Sequence, residues 1–228
     1  MKPWRNSLRS EVDGPRLLIH RKDRRGALSY AFSLIELLVT VALILILTTL
    51  FWRATAGKRQ HEQQAAAQAL CQNNLEKLFV AMEIYANDHA GYFPIATNAR
   101  TSEEALDALV PRYSADTALF ICPGSHDQPL PAGESFLKRK ISYAYYMGRR
   151  SKDAAELLVS DEQVDTLPKT AGQLVFSTNG QPPGNNHGTL GGNFLFGDGH
   201  AQSYPARLPF SIALPPGIVL LNPKASPR

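Results

Sequence analysis

The feature that most constrains this chain is the run from Ala31 to Trp52, 22 residues in which Glu36 is the only charged side chain. At a rise of about 1.5 Å per residue such a run crosses a hydrocarbon core of about 30 Å, and it predicts one membrane-spanning helix. No proline interrupts the chain from Phe32 to about Ala86, and Gly57 is the single glycine there. The helix is therefore expected to continue well past the membrane, for roughly 55 residues or on the order of 80 Å. A carboxylate at mid-membrane costs about 2.5 to 3.5 kcal/mol, so Glu36 marks function and calls for a partner.

Charge sets the orientation. Residues 1 to 31 carry eight Lys and Arg against three acids and have no apolar periodicity, so they read as a basic leader held in the cytoplasm. The whole chain has a net charge of +4 and a pI near 9.1. From Phe32 onward, however, 16 basic residues face 17 acidic ones. The basic excess lies in the leader, and direct nucleic-acid binding is not expected.

Past the span, Lys58 to Gln64 mark the exit into water, and Cys71, Leu75, Leu78, Met82 and Tyr85 follow at spacings of four, three, four and three. That stripe predicts a helix face packed on an outer domain. Asn87, Asp88, Gly91 and Pro94 end the helix. A short helix is expected at Thr101 to Leu109, with Thr101 and Glu104 at capping-box spacing, and another at Ser151 to Leu158. Strands are expected at Ala118 to Ile121, Ile141 to Met147, Gln173 to Ser177, Asn193 to Phe196, Ala201 to Tyr204 and Gly217 to Leu221. Asp198-Gly199 predicts a type I′ hairpin turn. The expected class is α+β, with a long helix, part transmembrane and part amphipathic, packed on a small antiparallel sheet. Its divisions are a leader at 1–31, a span at 32–52, a stem at 53–90 and a head at 91–228.

Cys71 and Cys122 both fall on the translocated side, where disulfides persist; a bond would tie stem to head, and two buried free thiols are the other reading. His187, Asp198 and His200 offer two imidazoles and a carboxylate, a set suited to zinc or iron, although Asp198 also serves the turn. No serine or cysteine stands in a nucleophile motif, and no catalytic residue is assigned.

The segment Ala31-Phe32-Ser33-Leu34-Ile35-Glu36-Leu37-Leu38, behind a basic leader and ahead of an apolar helix, resembles the prepilin cleavage and methylation signal of type IV pilins and type II secretion pseudopilins. The resemblance implies cleavage between Ala31 and Phe32 by a prepilin peptidase, N-methylation of Phe32, and a role for Glu36 in assembly. The new Phe32 amine of one subunit would pair with Glu36 of a neighbour. Family members carry Gly before the cleaved bond, where this chain has Ala31.

Tyr85 to Pro94 with Cys71 to Leu75, and Phe120 to Pro123, are similar to pieces of major pseudopilins. His187 to Gly199 resembles the His, nine residues, Asp-Gly segment of large pseudopilin families, with one residue more. The implied function is a subunit of a type II secretion-like filament. It would sit in the inner membrane with its N-terminus cytoplasmic and its head periplasmic. Its partners would be other pseudopilin subunits, prepilin peptidase, the assembly platform and membrane lipid. The likeness to major pseudopilins also raises calcium as a ligand. A pilin or minor pilin for adhesion or DNA uptake is the alternative function, and a membrane-anchored metal-dependent hydrolase is a third.

Overall fold

A computed structural model describes residues 33–132 and 134–225, with the backbone alone at 54–57. The residues of the expected cleavage site, Ala31 and Phe32, lie outside the described residues. The chain is α+β, one long N-terminal helix followed by a small antiparallel sheet of five strands. Contacts divide it into two units, one ending at Thr49 and one beginning at Leu50.

In the first unit, helix α1 begins at Leu34 and Glu36 lies in its first turn, where the helix dipole favours an acid. Its side chains are exposed throughout, and the helix is long and apolar enough to cross a membrane. Thr40 donates its hydroxyl to Leu37 O at 2.8 Å, so this polar group is satisfied within the helix. Thr48 and Thr49, on Leu45 O and Ile46 O, do the same at 2.9 and 2.8 Å. Such bonding is what a lipid surround demands of polar groups.

In the second unit α1 runs to Asp88. Ala90 and Gly91 then take positive φ, and the Gly91 N–H bonds Ala86 O at 2.8 Å to close the helix. The expected stripe is the buried face: Cys71, Leu75, Leu78 and Met82 have no exposed surface, and Tyr85 at its end is partly buried. Helix α2 (Ser102–Leu106) continues as a 3-10 turn to Leu109. The expected capping box does not form. Thr101 makes no side-chain cap, and Glu104 Oε2 accepts instead from Arg100 N at 2.7 Å, one residue earlier.

The strands are β1 (Tyr143–Met147), β2 (Leu157–Asp161), β3 (Gly192–Phe196), β4 (Ala201–Tyr204) and β5 (Val219–Leu221), in the antiparallel order β4-β3-β2-β1-β5. Side chains alternate between two apolar layers. Tyr143, Tyr145, Leu195 and Leu221 face α1, whereas Ala144, Tyr146, Phe194 and Leu220 face a second cluster with Val175, Phe176, Leu208 and Ile212. Strand β2 breaks the alternation with a bulge between Leu157 and Val159. Leu157 joins the far layer, while Leu158 and Val159 both join the α1 layer. The bulge thereby turns the next in-phase residue, Asp161, toward α1.

Further local expectations are corrected. Ala118 to Ile121 is not a strand; Thr117–Phe120 forms a 3-10 turn because Asp116 accepts from Ala118 N at 3.0 Å. The end of the expected helix Ser151 to Leu158 instead enters β2, where Leu157 and Leu158 are buried on opposite faces of the sheet. Gln173 to Ser177 does not form a regular strand: it bridges from Leu174 to Arg207, and Val175 N and Phe176 N both bond Ala206 O, at 2.8 and 3.2 Å, so the ladder is not carried on. The hairpin at Asp198-Gly199 is present, with a different turn. Gly199 alone of that pair has positive φ, and its N–H bonds Phe196 O at 3.0 Å. This is a three-residue loop with glycine in the left-handed position, not type I′.

Candidate functional site

Four segments deliver polar side chains to one buried point. Cys71 comes from α1, Cys122 from the loop after the 3-10 turn, Asp161 from the end of β2, and His187 from the loop before β3. All four are buried, and their ligating atoms lie within 4.8 Å of one another. The bulge in β2 supplies Asp161, and the helical stripe supplies Cys71. Gly124 lets the Cys122 loop lie against the imidazole, since a Cβ there would stand 2.7 Å from His187 Nδ1.

Asp161 organises the cluster. Its Oδ1 accepts from Asn186 Nδ2 at 2.9 Å and from the Cys71 thiol at 3.3 Å. Its Oδ2 accepts from Asn193 N at 2.7 Å and lies 3.1 Å from His187 Nε2. Burial works against this carboxylate, but His187 and the amide donors outweigh it and hold its pKa below the ordinary range. Burial also works against a charged His187, yet Asp161 raises its pKa to about 10. Cys122 Sγ lies 3.3 Å from His187 Nε2, and Cys71 Sγ lies 3.4 Å from Tyr143 Oη. Burial pushes both thiols up. Neutral buried thiols are poor nucleophiles, so the arrangement suits holding a charge or an ion better than attack on a substrate.

The residues expected from sequence divide between two places. His187 enters the buried cluster, whereas Asp198 and His200 pair with each other at 2.5 Å on the hairpin, each about half exposed. The candidate trio is therefore not assembled: His187 is buried, whereas the Asp198–His200 pair is half exposed on the hairpin. No group of three His, Cys, Asp or Glu side chains gathers at Asp198 among the described residues, so the hairpin does not offer the carboxylate set that calcium takes. Cys71 and Cys122 are brought together as free thiols.

Asp161 escapes a reading of the sequence because Ser160-Asp161-Glu162-Gln163 looks like a solvated polar segment beyond the expected helix, yet all four are buried. Asn186, which fixes its Oδ1 and also bonds Ser142 O at 2.8 Å, is equally silent in the sequence. Asn193 ties the cluster to the helix, donating through Nδ2 to Gln68 O at 3.1 Å. No protein-family model, curated protein or solved structure matches this chain.

Proposed function

We propose that this chain is a pseudopilin, a subunit that assembles through its N-terminal helix into a periplasmic filament of a type II secretion-like system. The observation that carries the reading is the division of α1. From Leu34 to Trp52 the helix exposes large apolar side chains with Glu36 as their only charge. From Cys71 to Ala86 it buries a stripe beneath an α+β head.

A lone carboxylate in such a surface is costly until a cation reaches it. The amine created by cleavage before Phe32 on a neighbouring subunit is a cation at the right depth. Pairing of the two fixes axial register between subunits, as buried polar groups do in coiled coils. The head then faces the periplasm, and the work of the protein is mechanical.

Intact mass and N-terminal sequencing of the membrane-extracted protein test the reading. The expected mature chain starts at N-methylated Phe32. A retained leader, in cells that contain the prepilin peptidase, overturns it.

A further inference from the structure

The cluster of Cys71, Cys122, Asp161 and His187 has a shape that hydrogen bonding alone does not require. The His187 ring is buried, and its hydrogen-bond-distance neighbours among the described residues converge on Nε2: Asp161 Oδ2 at 3.1 Å, Cys122 Sγ at 3.3 Å and Asn193 Nδ2 at 3.3 Å. Among the described residues its Nδ1 has no hydrogen-bond partner. One ring nitrogen is thus crowded by two acceptors and a donor while the other is idle.

Zinc bonds of about 2.3 Å to sulfur and 2.0 to 2.2 Å to nitrogen or oxygen imply tetrahedral edges of about 3.3 to 3.8 Å between ligand atoms. The separations are 3.3 Å from Cys122 Sγ to His187 Nε2, 3.1 Å from His187 Nε2 to Asp161 Oδ2, slightly inside that range, and 3.3 Å from Cys71 Sγ to the other carboxylate oxygen, Asp161 Oδ1. Those remaining lie within 4.8 Å. The donor set is also selective. Two thiolates with an imidazole favour a borderline-soft ion over calcium or magnesium, and four protein ligands leave no open position.

Supporting contacts are in place too. Asn186 Nδ2 and the Asn193 N–H orient the carboxylate, and the Gly124 N–H donates to Cys122 Sγ at 3.3 Å. A disulfide would use only the two sulfurs and leave a buried carboxylate and imidazole to be explained. A metal ion uses all four groups.

We propose that Cys71, Cys122, Asp161 and His187 form a closed tetrahedral site for Zn²⁺ that fastens the stem helix to the head. On binding, each thiol and the Nε2–H of the His187 imidazolium lose a proton to solvent, three in all, and the metal takes Cys71 Sγ, Cys122 Sγ, one Asp161 oxygen and His187 Nε2. The imidazole binds as the neutral ring, with its proton on Nδ1. The site is structural and independent of the filament reading.

The test uses the full chain in mild detergent. It is purified without chelator and assayed for metal, then stripped with a chelator in the presence of a phosphine reductant and titrated with Zn²⁺ or Co²⁺. The expected results are one zinc per chain, a thiolate-to-cobalt charge-transfer band with intense tetrahedral d–d bands, and protection of both thiols from iodoacetamide by Zn²⁺. His187→Ala and Asp161→Asn are expected to weaken Zn²⁺ binding by about 100-fold or more, whereas His200→Ala leaves it unchanged. The cobalt spectrum of the unaltered chain decides the matter even if a ligand variant fails to fold. Absence of stoichiometric zinc binding by the reduced chain overturns the proposal. So does an intact mass showing a Cys71–Cys122 disulfide in protein alkylated before reduction, or loss of binding in His200→Ala.

Discussion

The thiol of Cys71, on the stem helix, donates to Asp161 Oδ1 at 3.3 Å across 90 positions of sequence. One long-range contact therefore joins the helix to the central strand of the sheet through a group that is wholly enclosed. Enclosure makes the Asp161–His187 pair sensitive to loss of either member. In the reduced, metal-free chain Asp161→Ala strands a buried imidazolium and is expected to cost about 3 to 5 kcal/mol in urea unfolding. The double variant Asp161→Leu/His187→Leu is expected to lose clearly less than the sum of the single changes. Additive losses would show that the pair does not act as a unit.

The stem offers a contrast between its two faces. Leu78 has no exposed surface, and Leu78→Ala is expected to lower stability by about 2 to 5 kcal/mol, through lost burial and the cavity left behind. Leu70 is 57% exposed, and Leu70→Ala is expected to stay within about 0.5 kcal/mol. Denaturant midpoints of the two variants, side by side, check the orientation of the helix on the head.

Gly199 tests the hairpin. Its φ is +89°, and a Cβ would lie 2.7 Å from the Phe79 ring. Gly199→Ala is expected to cost about 1 to 3 kcal/mol, read as a lower melting temperature, because both the backbone and the stem helix oppose the added methyl.

Asp198 gives a pH signature for the same turn. The backbone N–H of His200, and then its imidazole, hold the Asp198 carboxyl below its ordinary pKa. A depressed acid contributes stability above its unfolded pKa and loses it as pH falls through the folded value. Carbon-13 NMR should find the Asp198 side chain titrating below the ordinary aspartate range, and His200→Ala should move that midpoint upward. An unchanged midpoint would count against the pairing.

Glu36 carries the filament reading. Glu36→Ala is expected to leave membrane insertion intact, since it removes a charge from an apolar surface, and to reduce assembly by an order of magnitude or more through loss of register (about 1.4 kcal/mol per tenfold). Pelleting of sheared filaments measures it. Filaments at unaltered yield would refute the role given to this carboxylate.

The stem was legible in the sequence because its period is uninterrupted: Cys71, Leu75, Leu78 and Met82 mark the buried face without help from the rest of the chain. The hairpin could be placed because Asp198-Gly199 separates two short strand-like runs, although the turn type depends on the backbone of Asp198 and could not be read. Strand β2 was hidden for a different reason. Leu157 to Asp161 holds three apolar residues and then two polar ones, so no period of two exists to detect. Three of the four cluster residues, Cys71, Cys122 and His187, are of types that are conspicuous anywhere. Asp161 was not, because burial of an aspartate depends on partners from three other segments, the helix at Cys71, the loop at Asn186 and His187, and β3 at Asn193.

The extra residue in β2 has a consequence for folding fidelity. If β2 paired with β3 as a regular pleat, Asp161 would share the face of Leu157 and enter the layer of Val175, Phe176 and Phe194. A bare carboxylate in that aromatic layer would cost several kcal/mol, whereas an aliphatic residue there would cost little. The buried acid thus proofreads strand pairing: a slip by one position is rejected by charge, where shape alone would have let it pass.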